Sequence, residues 1–173
     1  MGHGLPHNGT MLRDRNLIPL SHQHQHALAL CVRLERALQE GSADLNGWQQ
    51  EIEQHYAQEV KLHFEAEEKI LFPAAERLAN LKPLVEDLCA EHRRLRETFA
   101  RAAKRQLNES ALRKFAALLS GHIRKEERQL FEALQKRMGA EELNSLGEKL
   151  ARALEGADRS CVLPQTRTPT KPG

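Results

Sequence analysis

Residues 63–73 read HFEAEEKILFP, a charged, helix-favouring run with a histidine at its head, a carboxylate one turn later and a proline at its foot. In a soluble helix, residues spaced i, i+3, i+4 and i+7 form the apolar stripe that faces the core. Here that stripe runs Ile52, Tyr56, Glu59, Val60, His63, Glu67, Ile70, so an imidazole and a carboxylate stand where aliphatic side chains belong. Four residues turn about 400°, which puts His63 and Glu67 within ~40° of each other and ~6 Å apart along the axis. So placed, both can approach one metal ion, and the carboxylate can reach across to a second.

The same reading extends along the chain. A first helix is expected from Pro19, a favourable first-turn residue, to Glu40, with Gly41 as its stop. The second runs from Gly47 to Phe72, where Pro73 breaks the pattern. The third runs from near Pro83 to Arg105, and the fourth starts after Asn108, an N-cap, and ends before Gly139. A short fifth helix covers 139–156. No strand pattern and no fixed-period repeat occurs. Four long helices with short connections imply an all-α protein, an antiparallel up-down four-helix bundle with a short extra C-terminal helix. The expected organisation is a Gly-rich flexible leader (1–14), the bundle (15–138), the short helix (139–156) and a Pro/Thr-rich disordered tail (157–173).

Every stripe is interrupted by a histidine. The first helix gives Leu17, Leu20, His24, Ala27, Leu28, Cys31, Leu34, Leu38; the third gives Leu84, Leu88, His92, Leu95, Phe99. The fourth gives Leu112, Phe115, Leu119, His122, Glu126, Leu130, repeating the His-plus-Glu step of the second. In an up-down bundle, residues at one height are equidistant in sequence from the turn that joins their helices. The midpoint of 24 and 63 is 43.5, of 63 and 92 is 77.5, and of 92 and 122 is 107, each inside an expected turn. The four histidines therefore belong to one layer. Burying Glu67 and Glu126 there without cationic partners would cost several kcal/mol each, and no seam lysine or arginine lies at that height. A metal centre removes that cost.

The run HQHQH at 22–26 needs a choice. His22 and His26 lie two residues either side of His24 and project roughly to the opposite face, so His24 is the candidate ligand and the other two are expected at the surface.

Composition narrows the function classes. Hydrophobic residues make up 40% and charged residues 29%, as in a globular protein, while 4% aromatics suit a Leu/Ala-rich helical core. A net charge of +2 with both signs interspersed marks neither a nucleic-acid surface nor a membrane surface. Cys31, Cys89 and Cys161 form no CxxC pair, which argues against a zinc knuckle, a thioredoxin-like site or a disulfide framework. No apolar run approaches the ~20 residues of a membrane span, and the expected location is cytoplasmic.

HFEAEEKILFP, together with EHRRL at 91–95 and HIRKEERQLF at 122–131, resembles the HHE repeats of hemerythrin-like domains over roughly residues 15–138. The resemblance implies a centre of two non-haem iron ions, with His24, His63, His92 and His122 as terminal ligands and Glu67 and Glu126 bridging. Oxygen-carrying hemerythrins have a second histidine one turn away on the third helix; here Leu88 and Arg96 occupy those positions. Four histidines with two bridging carboxylates are instead similar to the set in bacterial iron-centre repair (RIC) proteins. Those also carry an N-terminal cysteine pair that this chain lacks. The ligand types differ from the Glu-x-x-His motifs of ferritin-like oxidases. Mixed imidazole and carboxylate ligation with open positions suits iron better than structural zinc.

The expected function is thus a di-iron protein that binds or senses a small diatomic ligand, oxygen or nitric oxide, or handles iron under oxidative or nitrosative stress. The alternatives are an oxidoreductase consuming peroxide or nitric oxide, and a regulatory bundle with a vestigial site. Glu59, one turn before His63, reads either as an acceptor behind a ligand or as a surface residue, and Tyr56 as core with its hydroxyl toward the site. Gly121 lowers helix propensity by about 1 kcal/mol relative to Ala, which either a close helix approach or a local kink would rationalise.

Overall fold

The computed structural model describes residues 12–158. Its five helices follow the apolar periodicity closely. α1 spans Ile18–Gln39, with Pro19 in its first turn and Gly41 just beyond its end at φ 65°, the left-handed conformation that closes a helix at little cost in glycine. α2 is one continuous helical run from Leu45 to Glu76, opened by Asp44, whose carboxylate accepts from the Asn46 amide. α3 spans Lys82–Ala103 with Pro83 in its first turn. α4 runs from Glu109 to Arg137, and the Asn108 side chain caps it by accepting from the Ala111 amide at 2.9 Å. α5 spans Ala140–Asp158.

Two of these helices depart from regular α geometry in a way the sequence did not signal. α2 contains wide π turns at Tyr56–Val60 and Glu67–Leu71, and α4 contains one at Glu126–Leu130. In each, a backbone amide reaches back five residues: Phe72 N–H to Glu67 O, and Phe131 N–H to Glu126 O. The second π turn corrects two expectations. It adds one residue to the turn, so Leu71 and Phe72 are buried where the α period placed Ile70, which is only half-buried. It also lets the helix pass through Pro73 instead of breaking there, because the widened turn comes just before the residue that has no N–H to donate.

α1 packs against α4, α2 against α3, and α3 against α4, as an up-down bundle requires. α5 lies along the middle of α2. Its Leu143, Leu146, Leu150 and Leu154 join Leu17, Leu20, Leu71, Phe72, Phe131 and Leu134 in one apolar cluster. A second cluster, with Leu34, Leu38, Ile52, Phe99, Leu112 and Phe115, fills the other end. Between the two lies a layer of buried polar side chains. Among the described residues there is no strand, and no helix is long and apolar enough to cross a membrane.

Candidate metal centre

The layer contains all six residues singled out in the sequence. His24 on α1, His63 and Glu67 on α2, His92 on α3, and His122 and Glu126 on α4 are each 4% exposed or less. The four imidazoles turn their Nε2 atoms inward. His24 and His63 face each other with Nε2 atoms 3.0 Å apart, and His92 and His122 do so at 3.1 Å. The carboxylates lie between the two pairs. Glu67 sets Oε1 3.1 Å from His63 Nε2 and Oε2 3.3 Å from His92 Nε2. Glu126 sets Oε2 3.1 Å from His24 Nε2 and Oε1 3.2 Å from His122 Nε2. Two groups of four donors result, His24–His63–Glu67–Glu126 and Glu67–His92–His122–Glu126, sharing both glutamates.

Behind each imidazole stands an acceptor for its Nδ1–H. Gln23 Oε1 accepts from His63 at 2.8 Å, Glu68 from His92 at 2.8 Å, Glu91 from His122 at 2.8 Å and Glu127 from His24 at 2.7 Å. The four bonds form a closed ring, each helix holding the histidine of the next and α4 holding that of α1. A proton kept on Nδ1 leaves Nε2 as a lone pair, the tautomer that ligates metal. The three carboxylate acceptors are each neutralised by a cation. Arg96 grips Glu68 at 2.6 and 3.0 Å, Lys125 binds Glu91 at 2.6 Å, and Arg13 binds Glu127 at 2.7 Å.

Sequence reasoning missed this ring, although each acceptor is the immediate neighbour of a candidate ligand: Gln23–His24, Glu67–Glu68, Glu91–His92 and Glu126–Glu127. A residue one step along the helix points about 100° away, here toward the adjacent helix. A polar residue beside four of the six seam polar residues, His24, Glu67, His92 and Glu126, was the available signal.

The electrostatics of the layer are set by carboxylates packed against imidazoles. Burial would push His24 and His122 down, but the carboxylates around them prevail. Glu126 and Glu127 hold His24 at about 9, and Glu126 with Glu91 holds His122 at about 10. His92 is also raised, by Glu67 and Glu68 against its burial. Burial and the Glu126 charge push Glu67 up, and His63 and His92 pull it below the usual carboxylate range. Glu126, despite burial, is drawn well down by His122 and His24. Glu68 is lowered to about 2, first by its bond from His92 and further by Arg96.

The donor set fits metal ions on two observations. None of the four Glu67 and Glu126 carboxylate oxygens accepts a hydrogen bond, though the Nε2 atoms stand within 3.1–3.3 Å. Lone pairs that crowd together without bonding to one another share a common target. The spacing around the His24 side is also unequal: 3.0, 3.1 and 3.1 Å for adjacent donors, but 4.0 Å from His24 Nε2 to Glu67 Oε1. A tetrahedral ion has equal edges, about 3.4 Å for bonds of ~2.05 Å. Short and long edges together do not fit a closed tetrahedral site.

A cavity of about 20 Å³ adjoins the layer, lined by His24, His63 and His122 with Ala27, Val60 and Leu119 among others. It has room for about one water-sized molecule. His92 is the one inward histidine off its wall: Phe64 stacks on it with ring centroids 3.7 Å apart, and Phe72 leans on the same ring at 5.3 Å. Phe131 stacks on His24 at 5.5 Å.

The remaining sequence candidates fall outside the layer. His22 and His26 are exposed, and His26 Nδ1 donates to Glu59 at 3.0 Å. Glu59 lines the cavity but accepts from none of the four inward histidines. Tyr56 stacks on Phe99 at 4.6 Å. Gly121 is exposed and a Cβ there would meet nothing within 4 Å, so close helix approach is not its reason. Leu12–Asp14, at the end of the expected leader, are described: Arg13 reaches Glu127 and Gln135 and lies over the Phe131 ring.

A family model described as the hemerythrin HHE cation binding domain matches residues 19–134. No curated protein and no solved structure matches this chain.

Proposed function

The chain belongs to the hemerythrin HHE cation-binding domain family, and from that premise we propose that it holds two non-haem iron ions. In this reading His24 and His63 would hold one ion and His92 and His122 the other, with Glu67 and Glu126 available to both. The observation that carries the reading is the pair of four-donor groups sharing two carboxylates whose oxygens have no hydrogen-bond partner. With iron bound, open coordination positions would take oxygen, nitric oxide or peroxide.

The chain's own residues define what such a site can do. The Nδ1–H bonds to Gln23, Glu68, Glu91 and Glu127 fix the imidazole orientation. Phe64 and Phe72 cover His92, which leaves the cavity beside His24, His63 and His122 as the place for a small ligand. That cavity suits a diatomic molecule in size. Its polar lining beyond the imidazoles is Gln23, whose Oε1 accepts from His63 and whose NH2 group keeps its donors, and Glu59, which is engaged by His26.

Apart from the Gln23 NH2, no lining side chain offers a donor to a small ligand in the cavity. This favours sensing, nitric-oxide binding or oxidative turnover over reversible oxygen carriage, and keeps a peroxide- or nitric-oxide-consuming oxidoreductase as the second reading. Metal analysis with an optical spectrum, taken on reduced protein before and after air, tests the proposal. About two irons per chain are expected, and His63→Ala should lose at least one. Protein expressed with ample iron that contains none would refute it.

A further inference from the structure

The ring of acceptors is chemically uneven. Glu68, Glu91 and Glu127 are carboxylates and can only accept, so His92, His122 and His24 are held with the proton on Nδ1 and a lone pair on Nε2. Gln23, behind His63, is an amide. Turned one way, its oxygen accepts from Nδ1–H, as observed; turned the other, its NH2 donates to Nδ1, and the proton then resides on Nε2, where it blocks a metal. His63 is the one inward histidine not confined to the ligating tautomer.

The surroundings of the two positions differ in the same sense. The His92–His122 position has two carboxylates behind its histidines, with Phe64 stacked on His92 and Phe72 leaning on it, and only His122 on the cavity wall. The His24–His63 position has one carboxylate and one amide behind it, Phe131 stacked on His24, and both histidines on the cavity wall.

We infer that Gln23 makes the His24–His63 position the weaker and more exchangeable of the two, so that the protein fills the His92–His122 position first. This rests on the two-metal reading above and adds an order of loading to it. Partners behind metal ligands are typically worth about 10–100-fold in metal affinity, which sets the expected gap. Gln23 acts here as a positioning residue through His63. A chain loaded in this order has a populated one-ion state, and the second ion is the one that can be given up.

The test is an anaerobic calorimetric titration of the metal-free full chain with ferrous ion. Two steps should appear, separated by about tenfold or more in affinity. Gln23→Glu should narrow the gap by strengthening the weaker step. Glu91→Gln should narrow it from the other end by weakening the stronger step. Glu59→Gln, which removes a charge from the same cavity wall without touching an inward imidazole, should leave the gap in place. Circular dichroism checks that each variant folds, and if Gln23→Glu does not, Glu91→Gln decides. Equal steps in the unsubstituted chain, or a gap indifferent to both Gln23→Glu and Glu91→Gln, would overturn the inference alone. A gap that closes equally in Glu59→Gln would reduce it to bulk charge and overturn it too. A chain that takes up no iron would overturn the two-metal reading itself.

Discussion

The apolar clusters at the two ends of the bundle and the polar layer between them obey opposite rules. In the clusters, side chains such as Leu34, Phe115 and Leu134 are fully buried and need nothing but one another. In the layer, ten polar groups are nested inside one another: four imidazoles facing two carboxylates whose oxygens have no hydrogen-bond partner, with the ring of four acceptors behind. The clusters give the chain its fold, while the layer buries charged groups that depend on protons or on bound cations for compensation. Stability and function are thus segregated by height along one bundle, and perturbing each region should have a different signature.

Stripping metal should produce the largest effect and touch the layer alone. An ion that binds only the folded chain stabilises it by about 4 kcal/mol when free metal stands a thousandfold above its Kd, and two positions would double that. Thermal unfolding with and without a strong chelator measures it. The comparison breaks if chelation leaves the melting temperature unchanged.

Phe115→Ala should come next, in the opposite region. Phe115 packs edge-on against Phe99 in the cluster away from α5, and its truncation should cost about 3–5 kcal/mol. Metal content per folded chain should stay as it was, because Phe115 belongs to an apolar cluster and packs its ring on Phe99, outside the polar layer. Denaturant unfolding alongside metal analysis checks both halves of that statement. Loss of metal in step with stability would mean the two regions are coupled.

A smaller, pH-dependent effect separates the layer's empty and filled states. His24 is held at about 9 and His122 at about 10 in the metal-free chain, both above the ordinary 6.5. Raised values of this kind stabilise the folded chain fully below pH 6.5, and that contribution is lost as pH climbs through 9 and 10. Metal needs the same nitrogens unprotonated, so its binding releases protons and strengthens over that range. Chelated protein should therefore melt lower as pH rises from 7 to 10, while metal affinity rises. Parallel melting curves with and without metal across that range would contradict the placement of these histidines against Glu67 and Glu126.

How much of this was legible follows the same division. The helices and the shared height of the four histidines were readable because an up-down bundle turns sequence distance into height, and the seam shows which of His22, His24 and His26 faces inward. The acceptors Gln23, Glu68, Glu91 and Glu127 were not read, because they sit off the seam and look like ordinary solvated helix charges until the neighbouring helix is in place. The π turns at Glu67 and Glu126 escaped for a different reason: a five-residue reach is decided by packing and site geometry, and no residue propensity announces it. Pro73 was misread as a consequence, since a proline after a widened turn is not the helix breaker it is in a regular α-helix.

The smallest predicted effect lies at the boundary between the regions. Gly121 adjoins His122 in sequence yet faces outward, with no atom within 4 Å of where a Cβ would stand. Gly121→Ala fills no space that the layer uses, and it removes the flexibility that glycine gives the unfolded chain. It should therefore stabilise by about 0.5–1 kcal/mol. Because the gain arises in the helix backbone and the unfolded state, it should be the same size in chelated and metal-loaded protein. Denaturant midpoints measured in both states resolve a difference of that size. A gain present only without metal would mean that α4 must flex at Gly121 when ions enter, and the glycine would then belong to the layer after all. A loss in both states would mean that α4 bends there in a way alanine cannot follow.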